Sequence, residues 1–207
     1  GGGRVSTTRT LFLSPRCRGI GLLDKRAVAA VRHALPAEKR VVWLPDVTDQ
    51  SLPAPGSPEA RLAEELAQFA QGRPIVSLVG AIKKSKGLEL FSSLAVDPRM
   101  QDVCFFLGGE VAWDGISPAS RREIKATWQE RANLMRYPGF IPGESAYNAV
   151  LKASDVVFAA YECFPHSSNT VTKAACLRMP LLCTEGGLMG DAVEAFRLGE
   201  TIPEQDL

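Results

Sequence analysis

SSNTVTK, residues 167–173, sets Ser167, Ser168, Asn169 and Thr170 where a helix should begin, with Lys173 one turn further in. The first amides of a helix have no partner inside it and lie at the positive end of its dipole. Four polar side chains beside them add donors, a set that suits phosphate oxygens. Plain N-capping competes with this reading, but a cap needs one such residue and four stand here. GAIKKSKG, residues 80–87, is similar in kind: Gly80 and Gly87 flank Lys83, Lys84 and Lys86 ahead of another helix. Its amides and ammonium groups could meet one anion, or it could be a solvated basic turn. It is not a P-loop, because G-x-x-x-x-G-K-[ST] is absent. GFIPGE, residues 139–144, puts Phe140 and Ile141 beside main-chain groups, a wall for a nucleobase or simply part of the core. Glu162, the carboxylate of YECFPHSSN, could accept sugar hydroxyls or stand in solvent.

The elements that must position these residues alternate regularly. PIVSLVG, DVCFFLGGE, NLMRYPG, DVVFAAY and PLLCT read as strands. KGLELFSSLAVDP (with Leu90 and Leu94 inward), SPASRREIKATWQERA, GESAYNAVLKAS, SSNTVTKAACLRM and GLMGDAVEAFRLG read as helices. Apolar strands without polar alternation, separated by helices, indicate a doubly wound parallel sheet covered on both faces. Such a sheet binds ligands at the carboxyl ends of its strands, and four loops follow strands: GAIKKSKG, GGEVAWDG, GFIPGES and YECFPHSSN. Upstream, RTLFLS (9–14) reads as a strand, LLDKRAVAAVRHAL as a helix and RVVWLP (40–45) as a strand. The loose stretch DVTDQSLPAPGSP leads to a helix opened by Ser57-Pro58, striped by Leu62, Leu66 and Phe69, and stopped by Gly72.

The chain has 207 residues, 45% hydrophobic and 23% charged, with a net charge of +1. That balance gives no argument for nucleic acid or a strongly acidic partner. Five scattered cysteines without C-x-x-C spacing read as buried reduced thiols, and two histidines make no metal pattern, so no metal is expected. No apolar run approaches the ~20 residues of a membrane helix. The opening GGGRVSTTRT resembles a cut end, not a signal peptide.

The order of these stretches resembles the C-terminal, donor-binding domain of a GT-B glycosyltransferase of the family 4 type, over about residues 39–207. LPDVTD is similar to the joint after the family's interdomain strand. SLVGAIKKSKGLELF is similar to its glycine-then-Lys-Gly stretch, with Lys86-Gly87 on the Lys-Gly. LKASDVVFAAY and KAACLRMPLLCTEGGLMGDAVE are similar to its later strand–loop–helix segments. The resemblance implies a Rossmann-like domain, one half of a GT-B fold, that binds a nucleotide-diphosphate sugar. It places Gly80, Lys83, Lys86, Phe140, Ile141, Ser167, Ser168, Asn169, Thr170 and Lys173 around the donor, with Lys86 and Glu162 as catalytic candidates. Three positions depart from the pattern: Ala81 stands for the family's phosphate Arg, Pro165 for its first Glu and Lys173 for its second. The second Glu holds ribose hydroxyls in the family, and a lysine can only donate.

Residues 1–38 would then be the tail of a preceding acceptor domain, with 39–207 truncated at its C-terminus. The implied reaction is hexosyl transfer to a glycan or lipid-linked acceptor, in polysaccharide biosynthesis. The implied location is cytoplasmic, or peripheral at the inner face of the membrane. The general base would lie in the other domain, so this chain alone is expected to be inactive. Two alternatives stay open: a non-catalytic binding domain that keeps the half-fold, and an unrelated doubly wound module of flavodoxin or response-regulator type.

Overall fold

The computed structural model describes residues 7–204. They fall into two units, divided between Val47 and Thr48.

The first unit holds α1 (Thr7–Leu13), β1 (Gly19–Leu22), α2 (Ala27–Ala34) and β2 (Arg40–Trp43). β1 and β2 pair in parallel with Gly19 opposite Arg40. RTLFLS is therefore helix where the sequence predicts strand: an apolar run that short fits either period. GIGL, unpredicted, is the strand that pairs. Lys39 Nζ donates to the carbonyls of Ser14 (2.6 Å) and Cys17 (2.7 Å), which fixes the turn between α1 and β1. RVVWLP is expected with the larger domain, but its pairing with β1 makes it part of this unit.

The second unit runs α3 (Arg61–Ala70), β3 (Ile75–Val79), α4 (Leu88–Val96), β4 (Cys104–Gly109), α5 (Pro118–Glu130), β5 (Leu134–Pro138), α6 (Glu144–Lys152), β6 (Val156–Ala159), α7 (Asn169–Leu177), β7 (Leu181–Thr184), α8 (Gly187–Phe196) and β8 (Gly199–Ile202). All strand pairs are parallel, in the order β5-β4-β3-β6-β7-β8. Counted within this unit, that is 3-2-1-4-5-6, the order of dinucleotide-binding sheets, whereas a flavodoxin-type sheet runs 2-1-3-4-5. The flavodoxin alternative is thereby excluded. β8 (GETI) was not foreseen: it is a short, half-polar edge strand.

Period-2 alternation explains the continuous apolar runs. Ile75, Val79, Cys104, Phe106, Val157 and Ala159 point into one core, against Leu66 of α3, Val150 of α6, Ala174 of α7 and Val193 of α8. Leu78, Phe105, Leu107 and Phe158 point into the other, against Leu88 and Phe91 of α4 and Ile124 of α5. A strand buried on both faces has no polar alternation to show. Phe91 packs edge-on against Phe105 (5.4 Å) and Phe158 (5.3 Å). The inward residues of α4 are thus Leu88, Phe91 and Ala95, with the expected Leu90 and Leu94 on its flanks.

Caps follow the sequence in part. Ser117 Oγ accepts the Ser120 amide at 3.0 Å, with Pro118 at the first position of α5. Ser57 Oγ accepts the Ala60 amide (3.3 Å) in a turn that precedes α3. That helix ends on Gln71, already left-handed at φ 51°, one residue before Gly72. Asp155 Oδ2 accepts the Ile75 amide (2.8 Å), tying the start of β3 to the start of β6.

Candidate functional site

The strand order reverses between β3 and β6, where their crossovers leave to opposite sides. A crevice forms there outside the carboxyl ends of the strands. It is a cavity of about 580 Å³. Gly80, Lys83, Lys86, Phe140, Ile141, Ser167, Ser168, Asn169, Thr170 and Lys173, chosen from sequence as nucleotide-sugar contacts, all line it. Three loops that are distant in sequence, after β3, β5 and β6, meet because each follows a strand of one parallel sheet.

After β3 the chain makes a 3-10 turn over Lys84–Lys86, then turns through Gly87 at φ 70°. A Cβ on Gly87 would overlap the Ala160 carbonyl oxygen, so glycine lets this loop lie against β6. The turn sends Lys83 and Lys86 to the cavity, while Lys84 is not among its lining residues. Lys86 Nζ lies 3.8 Å from the Tyr161 ring centroid and 5.4 Å from that of Phe164. This aromatic seat holds the ammonium by cation–π attraction. The buried Tyr161 hydroxyl donates to Thr170 Oγ1 at 3.2 Å, so the same ring steadies the start of α7.

At that start Ser168 is the N-cap, its Oγ accepting the Thr170 amide at 3.3 Å. One of the four polar side chains is therefore a cap, and Thr170 is engaged by Tyr161. Ser167 and Asn169 take no part in the cap. Phe140 stands 79% exposed at the rim, while Ile141 is buried beneath it.

Lys173 takes a role the sequence did not reveal. Its side chain is only 5% exposed, and Nζ is paired with Glu144 Oε2 at the first turn of α6. It also donates to Asn148 Oδ1 at 3.2 Å. Asn148 is fully buried, and its Nδ2 donates to the carbonyls of Asp49 (3.1 Å) and Ser51 (3.0 Å), which fixes its Oδ1 toward the lysine. The Asp49 carboxyl is held below its ordinary value mainly by the Ser51 hydroxyl and amide, with Lys173 adding a small electrostatic share. Burial pushes the Tyr147 phenol up, so it stays neutral beside this pair. Glu144, Tyr147 and Phe164 also line the cavity and were not singled out from sequence. Lys173 reaches Glu144 and Asn148 across 29 and 25 residues of sequence, and no periodicity signals such pairing.

Glu162 is the exception among the predicted residues. It is not among the cavity's lining residues. Its amide donates to the Ser85 carbonyl at 3.1 Å. Burial raises its carboxyl above the ordinary value, the charges of Glu89 and Glu204 add to that, and Lys84 opposes it. A second cavity of about 250 Å³ lies after β6 and β7, lined by Cys163, Glu185, Gly187 and Glu204 among others, and meets the first at Phe164. Among the described residues no cluster of His, Cys, Asp and Glu could hold a metal, and no helix is long and apolar enough to cross a membrane.

No family model matches this sequence, and no curated protein matches it. Solved structures do. Sucrose-phosphate synthase of Thermosynechococcus elongatus is similar over 96% of this chain and 49% of its own, at 21% identity and TM-score 0.60. Trehalose-6-phosphate synthase OtsA is similar over 97% and 52%, at 13% identity and TM-score 0.61. HepE of Anabaena, in complex with UDP-glucose, is similar over 91% and 51%, at 16% identity and TM-score 0.58. The chain spans about half the length of these structures, and at such identities the likeness is one of fold. These neighbours are GT-B glycosyltransferases, and the chain carries the fold of one GT-B half.

Proposed function

We propose that the second unit is the donor-binding half of a glycosyltransferase that moves a sugar from a nucleoside diphosphate to a hydroxyl of a glycan or lipid-linked acceptor. One observation carries the reading: Lys83, Lys86 and the polar start of α7 converge on a single cavity at the reversal point of the sheet. Breaking the bond between a sugar and its diphosphate leaves negative charge on the leaving oxygen. Lys86, fixed on its aromatic seat, and the helix-start dipole are placed to stabilise that charge without reorganisation. This electrostatic work calls for no metal. Phe140 at the rim offers a face to the base. The general base and the acceptor contacts belong to protein beyond this half-fold, so this chain alone binds donor without transferring it. Catalysis is assigned to Lys86 and not to Glu162, which lies away from the cavity lining.

A non-catalytic binding domain is the second reading, favoured by Ala81 where the resemblance calls for an arginine. Titration calorimetry with UDP, GDP and ADP tests the main reading. One diphosphate should bind, and Lys86→Ala should weaken it about tenfold or more, as expected for a charge-assisted contact. Binding indifferent to Lys86→Ala would remove the leaving-group role and promote the second reading. Silence with all three would remove the donor site itself.

A further inference from the structure

Two kinds of chemistry divide the cavity. Lys86 and the start of α7 offer donors and positive charge, which suit an anion. Lys173, one turn further along α7, would extend that field, but its ammonium is turned into the protein by Glu144 and Asn148. What faces the cavity there is the Glu144 carboxylate, 61% exposed and anchored from beneath by a lysine that is 5% exposed. A first-turn acid needs no such anchor to complement its helix dipole. The support extends to a third layer, since Asn148 is itself held by the carbonyls of Asp49 and Ser51. A fixed, ionised carboxylate has only acceptors, so it pairs with donors and repels phosphate. Neutral hydroxyl groups are such donors, and a carboxylate's two oxygens can accept from two neighbouring ones.

We propose that Glu144 is the hydroxyl-reading, specificity-determining group of the cavity, accepting the vicinal 2′ and 3′ hydroxyls of a nucleoside diphosphate's ribose, with Lys173 as its positioning residue. This rests on the donor-binding reading above. It also orients the ligand: phosphates at Lys86 and the α7 start, ribose about one helical turn away, ~5 Å along the axis, at Glu144. A ribose spans its phosphate and its 2′ and 3′ hydroxyls on that scale.

The test is calorimetry on this chain with UDP, GDP and ADP, each beside its 2′-deoxy and 3′-deoxy counterpart. The diphosphate that binds should lose about tenfold in affinity when either hydroxyl is removed, the size of a hydrogen bond to a charged group. Glu144→Gln keeps an acceptor for Lys173 but loses the charge. It should weaken the ribose form most and each deoxy form, which keeps one of the two hydroxyls, by less, whereas structural damage would weaken all alike. Equal binding of ribose and deoxy forms by the unaltered chain would overturn the assignment, with no variant needed. So would a Glu144→Gln loss of equal size in the ribose and deoxy ligands. In both cases sensitivity to Lys86→Ala would show the donor site intact, while silence with every diphosphate would bring down both readings.

Discussion

Cys183 lies buried in β7, and loss of hydration pushes its thiol up to about 11. Cys104 is buried in β4 and shifted the same way by the same cause. Cys163 is exposed, yet its thiol is also raised, first by a hydrogen bond to Glu204 and then by that carboxylate's charge. The thiolate is the nucleophile, so a raised value means slower alkylation at neutral pH. Native protein treated with iodoacetamide should lose Cys176, which is exposed, while Cys104 and Cys183 stay protected until unfolding. Glu204→Gln removes the charge, lowers the Cys163 thiol toward its ordinary value and should quicken its modification several-fold, with Cys176 as internal reference. An unchanged Cys163 rate on peptide mapping would show that Glu204 does not set it. Burial of Cys104 and Cys183 was legible in the apolar runs VCFFL and PLLCT, but Cys163 and Cys176, expected buried with them, are exposed, and the Glu204 contact, 41 residues from Cys163, was not legible. The cavity residues divide the same way. Those that follow strands could be named from topology alone, since a parallel sheet gathers its loops at one end. Lys173 was named with them, but its ion pair with Glu144 depends on how α6 packs beside α7, which residue types do not disclose.

Among the elements, the turn into α4 is tightly specified. Gly87 combines φ 70° with a Cβ position that overlaps the Ala160 carbonyl and lies 3.0 Å from the Phe158 ring. Backbone is on one side and a buried aromatic ring on the other, so neither can yield cheaply. Gly87→Ala should cost about 2 kcal/mol or more, the sum of a left-handed alanine and a forced shift. Urea denaturation would show this as a lowered midpoint at unchanged slope. A loss below about 0.5 kcal/mol would mean the loop relaxes away from β6. Strands buried on both faces were readable because length and continuity mark them. RTLFLS was misread because six residues fit a helix as well as a strand, and GIGL and GETI were missed because four residues with glycine or polar positions carry no period.

For the molecule as a whole, the division at Val47 has a consequence for binding. Every residue lining the larger cavity falls between Val79 and Lys173, and the support behind Lys173 reaches back to Asp49 and Ser51 but no further. The six-stranded sheet and both of its cores are likewise complete within Thr48–Leu207. Residues 48–207 alone should therefore unfold cooperatively and bind the preferred nucleoside diphosphate within about twofold of the full chain, a difference under ~0.5 kcal/mol. A shorter piece beginning at Ser57 keeps the same sheet and the same lining residues. It loses the two carbonyls that hold the Asn148 amide, at a cost of about 1 kcal/mol or more. If Asn148 orients Lys173 and Lys173 orients Glu144, that shorter piece should lose the preference for ribose over 2′-deoxyribose while keeping its dependence on Lys86. Comparing the three lengths by calorimetry separates what the sheet supplies from what the segment before α3 supplies. Loss of all binding in residues 48–207 would mean that the first unit takes part in forming the site.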